Sequence, residues 1–148
     1  GIAKSISDIL DISPQDKILE VGAGAGMIAQ YLDCQYTGCD YSQSLCDKHY
    51  KILGNNMVCC EADSLPFADK SFDKVFAFSV FHYFPDHDYS LRSIKEMERV
   101  AKDVVFIGDL PLESHDSDHL LYTEEIFPDW KIHKGFYRNS RFNISKKL

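Results

Sequence analysis

The chain of 148 residues is 45% apolar and 26% charged, and its net charge is −7. These values are ordinary for one folded domain, so we expect residues 1–148 to form a single domain and exclude collagen, a disordered chain and a disulfide scaffold. Six of the 16 Lys and Arg residues follow Asp129, where no acid occurs, so residues 1–129 carry 10 minus 23 charges, or −13. A surface this acidic repels nucleic acid, and we expect no nucleic-acid partner.

The N-terminal residues show no targeting segment. Residues 1–11 lack the pattern of a secretion signal, and the longest apolar stretch, residues 75–84, is far shorter than the ~20 residues that cross a bilayer. We therefore expect a cytoplasmic location and no membrane contact, although a chain that begins with Gly1 indicates a piece of a longer protein. The five cysteines form no Cys-x-x-Cys motif, which predicts reduced packing thiols.

Short apolar runs alternate with helical patterns along the chain, as in stacked βαβ units. Strands are predicted at residues 17–21, 36–40, 57–62, 72–78 and 103–108. A helix at residues 42–53 begins at a capping Ser42 and stops at Gly54, with Leu45, His49 and Ile52 on its inner face. A second helix, at residues 85–101, turns inward Leu91, Ile94, Met97 and Ala101.

The pattern changes after Gly108. An acidic loop (residues 109–119) and a short helix (122–127) precede an alternating apolar segment that predicts an antiparallel hairpin with its turn at residues 138–141. The fold class is therefore α/β, a three-layer sandwich with a Rossmann-like, mostly parallel sheet and a C-terminal antiparallel hairpin. Ligands are expected at the carboxyl ends of the strands, where the strand order reverses.

The basic residues of this last segment allow two interpretations. They can attract an anionic substrate group, or they can protect an exposed strand edge from aggregation, and the second is the interpretation we favour.

Three glycines mark the end of the first predicted strand. Gly22, Gly24 and Gly26 stand at alternate positions where we expect the strand to turn into a helix. The lack of Cβ atoms lets a ligand approach the backbone, and free amides at a helix start favour a carboxylate or phosphate. Such a loop is weak evidence alone, and its G-x-G-x-G spacing differs from the G-x-G-x-x-G of dinucleotide binders.

Two acids end the next predicted strands. Asp40 can accept hydrogen bonds from a ribose, or it can cap the helix beside Ser42. Asp63 can accept from an adenine amino group. Together with the glycine loop, Asp40 and Asp63 favour a nucleoside ligand.

A further segment, EADSLPF at residues 61–67 followed by SFDKVF at 71–76, completes a pattern with the LEVGAGAG loop. Over about residues 16–110 the sequence resembles the class I S-adenosylmethionine-dependent methyltransferases of type 11. The resemblance implies an enzyme with S-adenosylmethionine as cofactor, S-adenosylhomocysteine as product and a small-molecule methyl acceptor as partner.

The resemblance also implies the cofactor-binding residues. The loop around the methionine part of the cofactor matches Glu20, Gly22, Ala23, Gly24 and Gly26. Asp40 matches the acid that binds the ribose, and Tyr41 stands beside it against the adenine. The family positions near the adenine amine correspond to Asp63, Ser64 and Leu65. The family segment beside the sulfonium, which follows the fourth strand, corresponds to Phe78, Ser79 and His82.

Candidate catalytic residues follow from the same edge of the sheet. His82 is our first choice as general base for a hydroxyl acceptor, although it also fits a cofactor-pocket or packing residue. Tyr83 can orient the acceptor or pack, and Asp109 can be a second base or a loop acid. The His and Asp residues of the loop 113–119 are interpreted as solvated, and no metal is expected.

The predicted function is methyl transfer to O or N of a small molecule. Only about 16 residues precede the first strand, so the acceptor lid is short, truncated or supplied by a partner subunit. Two alternatives stay open: a methyltransferase-like cofactor-binding subunit that needs a partner, and an NAD-dependent oxidoreductase, which the glycine spacing disfavours. A homodimer is also left open.

Overall fold

The computed structural model describes residues 1–148 and contains one seven-stranded sheet. Its strands are β1 (Lys17–Val21), β2 (Gln35–Asp40), β3 (Asn56–Cys59), β4 (Phe72–Phe78), β5 (Ala101–Pro111), β6 (Lys131–Lys134) and β7 (Arg141–Lys147). Their order is β3-β2-β1-β4-β5-β7-β6, with β1 to β5 parallel and β7 antiparallel to β5 and β6. The predicted Rossmann-like sheet with a C-terminal antiparallel hairpin is confirmed.

Three helices complete the layers: α1 (Ile2–Leu10), α2 (Gln43–Leu53) and α3 (His87–Val100). Successive strand residues point to opposite faces of the sheet, and each face has its own core. One core joins α1 to the sheet through Ile6, Leu10, Ile18, Phe76 and Phe106. The other core joins α3 to the opposite face through Leu19, Val75, Val105, Ile94 and Met97. None of the helices has the length and apolarity that a bilayer crossing requires.

Most predicted boundaries are confirmed. Strands β1 and β4 begin and end where predicted, and α2 begins after Ser42, whose side chain accepts from the Leu45 N–H at 3.3 Å. Gly54 ends α2 with a positive φ of 70°. Strand β3 is shorter than predicted, and β5 is longer, so that Asp109 belongs to a strand and not to the acidic loop. The reason is the pairing of β5 with β7, which continues to Pro111 opposite Arg141.

The predicted inner faces of the helices are partly wrong. Leu45 and Ile52 are exposed, and α2 buries Cys46 beside the correctly predicted His49. Leu91 of α3 is also exposed, because the inner face of this helix carries Ser90 and Ser93. Both serine hydroxyls are satisfied: Ser90 Oγ lies 2.6 Å from the Tyr122 hydroxyl, and Ser93 Oγ donates to the Tyr89 carbonyl at 2.9 Å. Hydrogen-bonded serines are compatible with a core, so hydrophobicity alone misassigned this face.

No α-helix follows the glycine loop, which corrects the prediction of a helix there. Only the 13 residues 22–34 connect β1 to β2, and they contain a single turn of 3₁₀-helix at Ala29–Tyr31. The connection must run back along the length of β1, which is about 17 Å for a five-residue strand. The eight residues that remain after the glycine loop would span only about 12 Å as a helix, so a helix is too short to make this connection. The segment at 122–127 likewise forms only a 3₁₀ turn, at Glu124–Ile126, whereas α1 was not predicted.

Candidate functional site

A cavity of about 680 Å³ opens at the carboxyl ends of β1, β4 and β5, where the strand order reverses between β1 and β4. This is the place expected for a ligand in an open α/β sheet. Its glycine side consists of Glu20, Gly22, Ala23, Gly24 and Ala25. Its histidine side consists of Phe78, Ser79, His82, Tyr83, Asp109, His119, Arg138 and Arg141.

The glycine loop needs its glycines for two different reasons. Gly22 (φ 75°) and Gly24 (φ 53°) both have left-handed backbones, which other residues adopt at a cost. A Cβ at Gly22 would also come within 2.5 Å of a Val80 methyl, whereas a Cβ at Gly24 would meet nothing within 4 Å. Gly22 therefore permits the loop to pack against the segment after β4, and Gly24 leaves free space on the cavity wall.

Asp40 holds the glycine loop in place. Its Oδ2 accepts from the Gly24 N–H at 2.9 Å, and its Oδ1 accepts from the Ser42 N–H at 3.0 Å. Ser42 is the N-cap of α2, so Asp40 does not cap this helix, which was one of its two predicted roles. Each carboxylate oxygen keeps acceptor capacity beyond these bonds, which a ribose hydroxyl can use.

His49 holds the same loop from the other side, a contact that was not predicted. The fully buried ring donates from Nδ1 to the Gly24 carbonyl at 3.0 Å, because a carbonyl only accepts, and Nε2 accepts from the Asn55 amide at 3.0 Å. It also stacks on Tyr36, with ring centroids 5.6 Å apart. The sequence indicated only that His49 lies on the inner face of a helix, and such a position predicts a packing residue.

Glu20 is a buried acid on the glycine side. Its Oε1 accepts from the Tyr36 hydroxyl at 2.6 Å. Burial raises the pKa of Glu20 to about 8, and the nearby Asp40 carboxylate acts in the same direction. Burial and the Glu20 charge also raise the pKa of Tyr36. Glu20 is therefore largely protonated at neutral pH, and a cation bound beside it favours the ionised form.

His82 is the buried ring of the histidine side. It is 3% exposed, and its Nδ1 has no hydrogen-bond partner. Burial, followed by the neighbouring His119 and Arg141, lowers the pKa of His82 to about 4, so the ring is neutral at pH 7. The Tyr83 and His119 rings lie 4.0 and 4.6 Å from it, between centroids. This cluster thus contains a buried ring nitrogen without a partner next to an exposed phenol.

Two non-glycine residues with left-handed backbones stand at the ends of the central strands. Ser79 has φ 60° after β4, and Asp109 has φ 62° near the end of β5. Their N–H groups donate to the Gly108 carbonyl at 3.1 Å and to Asn143 Oδ1 at 2.7 Å. Such conformations cost about 1–3 kcal/mol each and cluster at functional sites. Both residues line the cavity, whereas Asp11 and Lys70, the other two non-glycine residues with positive φ, lie outside it.

Six predicted cofactor residues lie outside the lining of the cavity: Gly26, Asp40, Tyr41, Asp63, Ser64 and Leu65. Tyr41 is exposed, and Asp63 pairs with Arg92 at 3.2 Å. Leu65 is buried, with its N–H donating to Glu96 Oε1 at 2.9 Å, and the Ser64 N–H donates to the Glu61 carbonyl. The assignment of these four residues to the adenine stays a prediction, as do the roles of the residues on the cavity wall. Gly26 sits behind the wall, against Leu53 and His49.

Comparison with known proteins shows the family of this chain. The sequence model of the methyltransferase domain family matches residues 19–106. The chain belongs to the class I S-adenosylmethionine-dependent methyltransferases of type 11. It is 32% identical over 91 residues to a probable tRNA methyltransferase 9B of Mus musculus, covering 61% of this chain and 20% of that protein. It is 35% identical over 94 residues to a phthiotriol/phenolphthiotriol dimycocerosates methyltransferase of Mycobacterium tuberculosis, covering 58% and 34%.

The methyltransferase fold extends over nearly the whole chain. A solved S-adenosylmethionine-dependent methyltransferase of Methanosarcina mazei superposes with a TM-score of 0.77 and 18% identity, covering 92% of this chain and 93% of that one. The chain spans about a fifth to a third of the length of the two curated relatives.

The site fits S-adenosylmethionine, the cofactor of this family. The cofactor carries an amino acid and a ribose. The buried Glu20 carboxylate, with only Tyr36 as partner, suits the ammonium group, and Asp40 has free acceptor capacity for the ribose. The open wall at Gly24 leaves room between these two acids. Glu20, Gly22, Gly24 and Asp40 would hold the cofactor.

Proposed function

We propose that this methyltransferase domain, residues 1–148, transfers the methyl group of S-adenosylmethionine to an oxygen or nitrogen of a small molecule. The observation that carries the proposal is that the glycine side and the histidine side line the same cavity. Its volume of about 680 Å³ lies in the range of about 300–1,000 Å³ that small ligands occupy. One cavity brings donor and acceptor together, which methyl transfer requires.

The histidine side supplies the groups that an acceptor needs. S-adenosylmethionine supplies an electrophilic methyl group on its sulfonium when it is bound. The lone pair of the acceptor would form the new bond to the methyl carbon while the carbon–sulfur bond breaks and S-adenosylhomocysteine leaves, and the proton that the acceptor loses would pass to the His82 ring on the cavity wall. A pKa of about 4 makes His82 a weak base, but an acceptor oxygen becomes strongly acidic once it carries the methyl group. Tyr83 and Asp109 orient the acceptor beside the ring.

Charge supports a small acceptor. The relatives range from a probable tRNA methyltransferase to a phthiotriol/phenolphthiotriol dimycocerosates methyltransferase, so they favour no single substrate class. Residues 1–129 carry a formal charge of −13, which repels a polyanion such as tRNA over most of the surface. A small molecule that enters the cavity avoids this repulsion.

Thermal unfolding with S-adenosylmethionine, S-adenosylhomocysteine and NAD tests the cofactor part. A ligand at 100 times its dissociation constant adds about 2.7 kcal/mol, which raises the melting temperature by several degrees. We expect this shift with the first two ligands and none with NAD. Release of S-adenosylhomocysteine over a panel of phenols, amines and carboxylic acids then tests turnover. Binding without turnover on any member would contradict the proposal.

One observation favours a second candidate, a cofactor-binding subunit whose acceptor site a partner completes. Met27, Tyr83 and Tyr137 line the cavity and are 82%, 70% and 71% exposed. Exposed apolar side chains grouped around an opening are typical of contact surfaces. This candidate predicts turnover only when a co-purified partner is present, whereas the proposed enzyme turns over alone.

A further inference from the structure

A second cavity, of about 540 Å³, adjoins the first beyond its histidine side. None of its lining residues is apolar: they are Glu113, Ser114, His115, Asp116, His119, Arg138, Ser140 and Arg141. Three of them, His119, Arg138 and Arg141, also line the first cavity. These three side chains therefore form a shared wall, which a ligand at His82 can reach with a polar group.

The two arginines of the shared wall lack strong partners. Arg138 forms no ion pair, and the nearest carboxylate contact of Arg141 is Asp109 Oδ2 at 3.7 Å, beyond hydrogen-bond distance. Arg141 also donates to the Asp109 carbonyl at 3.3 Å. Arg99 shows what a satisfied guanidinium looks like in this chain, with two carboxylate contacts at 2.7 and 2.8 Å. The guanidinium groups at the cavity therefore keep unused donors.

No carboxylate forms a close ion pair with the arginines of the shared wall. Asp116 faces His119 Nε2 at 3.4 Å and accepts from the Asp118 N–H at 2.9 Å. Glu113 is exposed to solvent. Asp109 is the only acid within 4.0 Å of either arginine, at the long distance given above. The unused N–H donors of the two guanidinium groups therefore remain free for a ligand that enters between the two cavities.

We propose that the methyl acceptor carries a carboxylate or phosphate, and that Arg138 and Arg141 bind this oxyanion. Planar guanidinium groups recognise both anions by paired hydrogen bonds, so they fix the acceptor at one end while its nucleophile lies at His82. The inference rests on the proposed function and names the substrate class of the same site. It assigns the basic residues of the β6–β7 turn to substrate recognition, where the sequence alone favoured edge protection.

Binding of matched probes to the protein saturated with S-adenosylhomocysteine tests the inference. The probes are benzoate, hexanoate and phenyl phosphate, each compared with its neutral analogue, namely benzamide, hexanamide and phenol. We expect at least one anion to bind about tenfold more tightly than its analogue, and the preferred probe identifies carboxylate or phosphate as the group. Equal binding of every anion and its analogue, or no binding of any anion, would overturn the inference.

Two arginine variants and one control locate the effect. Arg138→Gln and Arg141→Gln should each weaken binding of the preferred anion about tenfold or more. Lys131→Gln removes the same charge from the exposed face of β6, outside both cavities, and should leave binding within twofold. Losses of equal size in all three variants would indicate a general charge effect and contradict a specific site.

The cofactor provides the decisive comparison, because it has a carboxylate of its own. If the arginines bound that carboxylate, both variants would weaken S-adenosylhomocysteine but not 5′-methylthioadenosine, which lacks the amino-acid part. We expect both nucleosides to bind the variants as they bind the wild type. A selective loss of S-adenosylhomocysteine would overturn the inference while supporting the proposed function, and failure of both nucleosides to bind the wild type would contradict the proposed function itself.

Discussion

On the glycine side of the cavity, Asp40 and His49 hold a single residue, Gly24, by its N–H and its carbonyl. On the histidine side, His82 has an unpartnered Nδ1 and Tyr83 is 70% exposed. The glycine side is thus fixed through both polar groups of one backbone residue, whereas the histidine side includes a buried ring nitrogen without a partner and an exposed phenol.

The difference matches the two ligands of a methyltransferase. In the proposed function, the cofactor is bound on the glycine side by the backbone shape of the loop and by the buried acids Glu20 and Asp40. The acceptor differs between members, and exposed side chains on turns can change without disturbing the sheet. The following experiments probe this contrast, starting with the largest expected effect.

Paired glycine substitutions separate packing from binding on the glycine side. Gly22→Ala should lower the free energy of unfolding by about 3–4 kcal/mol, because it adds a collision with Val80 to the cost of a left-handed backbone. Gly24→Ala should cost only about 1–2 kcal/mol, but it should weaken S-adenosylhomocysteine binding at least tenfold by narrowing the cavity. Urea denaturation and calorimetry measure both quantities. Similar stabilities of the two variants would be inconsistent with this explanation.

The buried His82 makes stability depend on pH. Its pKa is about 4 in the folded chain and about 6.5 when unfolded, so between these values the unfolded state binds more protons. The free energy of unfolding should therefore fall as the pH drops from 6.5 to 4, by about 2–3 kcal/mol from this residue. His82→Phe should remove that part of the decline. An unchanged slope in the variant would show that the ring is not buried as described.

Glu20 should make cofactor binding depend on pH above 6.5, whereas His82 affects stability below that pH. Its raised pKa of about 8 means that binding an ammonium group must release a proton below that pH. The affinity for S-adenosylhomocysteine should thus rise between pH 6.5 and 8, by at most about tenfold per pH unit. Glu20→Gln should bind more weakly at pH 8 and without this pH dependence. A wild-type profile that is flat over this range would contradict the role of Glu20.

Two exposed tyrosines give the smallest and most selective effect. Tyr41→Ala and Tyr50→Ala should each change the free energy of unfolding by less than about 0.5 kcal/mol, since both side chains are largely exposed. Tyr41→Ala should weaken S-adenosylhomocysteine about threefold to tenfold if the ring stacks on the adenine, and Tyr50 on α2 serves as the control. Equal affinities of the two variants would remove Tyr41 from the cofactor site.

Local signals predicted the bounds of β1 and β4 and the two ends of α2. Strands β1 and β4, the capping Ser42 and the stop at Gly54 depend on neighbouring residues only. The approach of Asp40 to the glycine loop follows from the rule that parallel strands end at one edge of the sheet.

Contacts between distant residues could not be predicted in the same way. The loop-holding role of His49 depends on the position of Gly24 in three dimensions, and the pairing of Arg141 with Asp109 depends on the register of β5 and β7. The missing helix after the glycine loop was in principle predictable, because residues 22–34 are too few for it. Counting residues along the return path would have corrected that error.

The connection from β1 to β2 is too short for an α-helix, and helix α1 has two roles on this face of the sheet. Ile6 and Leu10 close the core over β1, β4 and β5, while Ile2 of the same helix lines the cavity. A nine-residue helix is not stable alone, so α1 stays in place through these apolar contacts and through the Lys74 ammonium, which donates to the carbonyl of Asp11 at its C-terminal end. Local unfolding of α1 would therefore open an entrance to the cofactor without breaking the sheet, and a bound cofactor would in turn slow amide hydrogen exchange in α1.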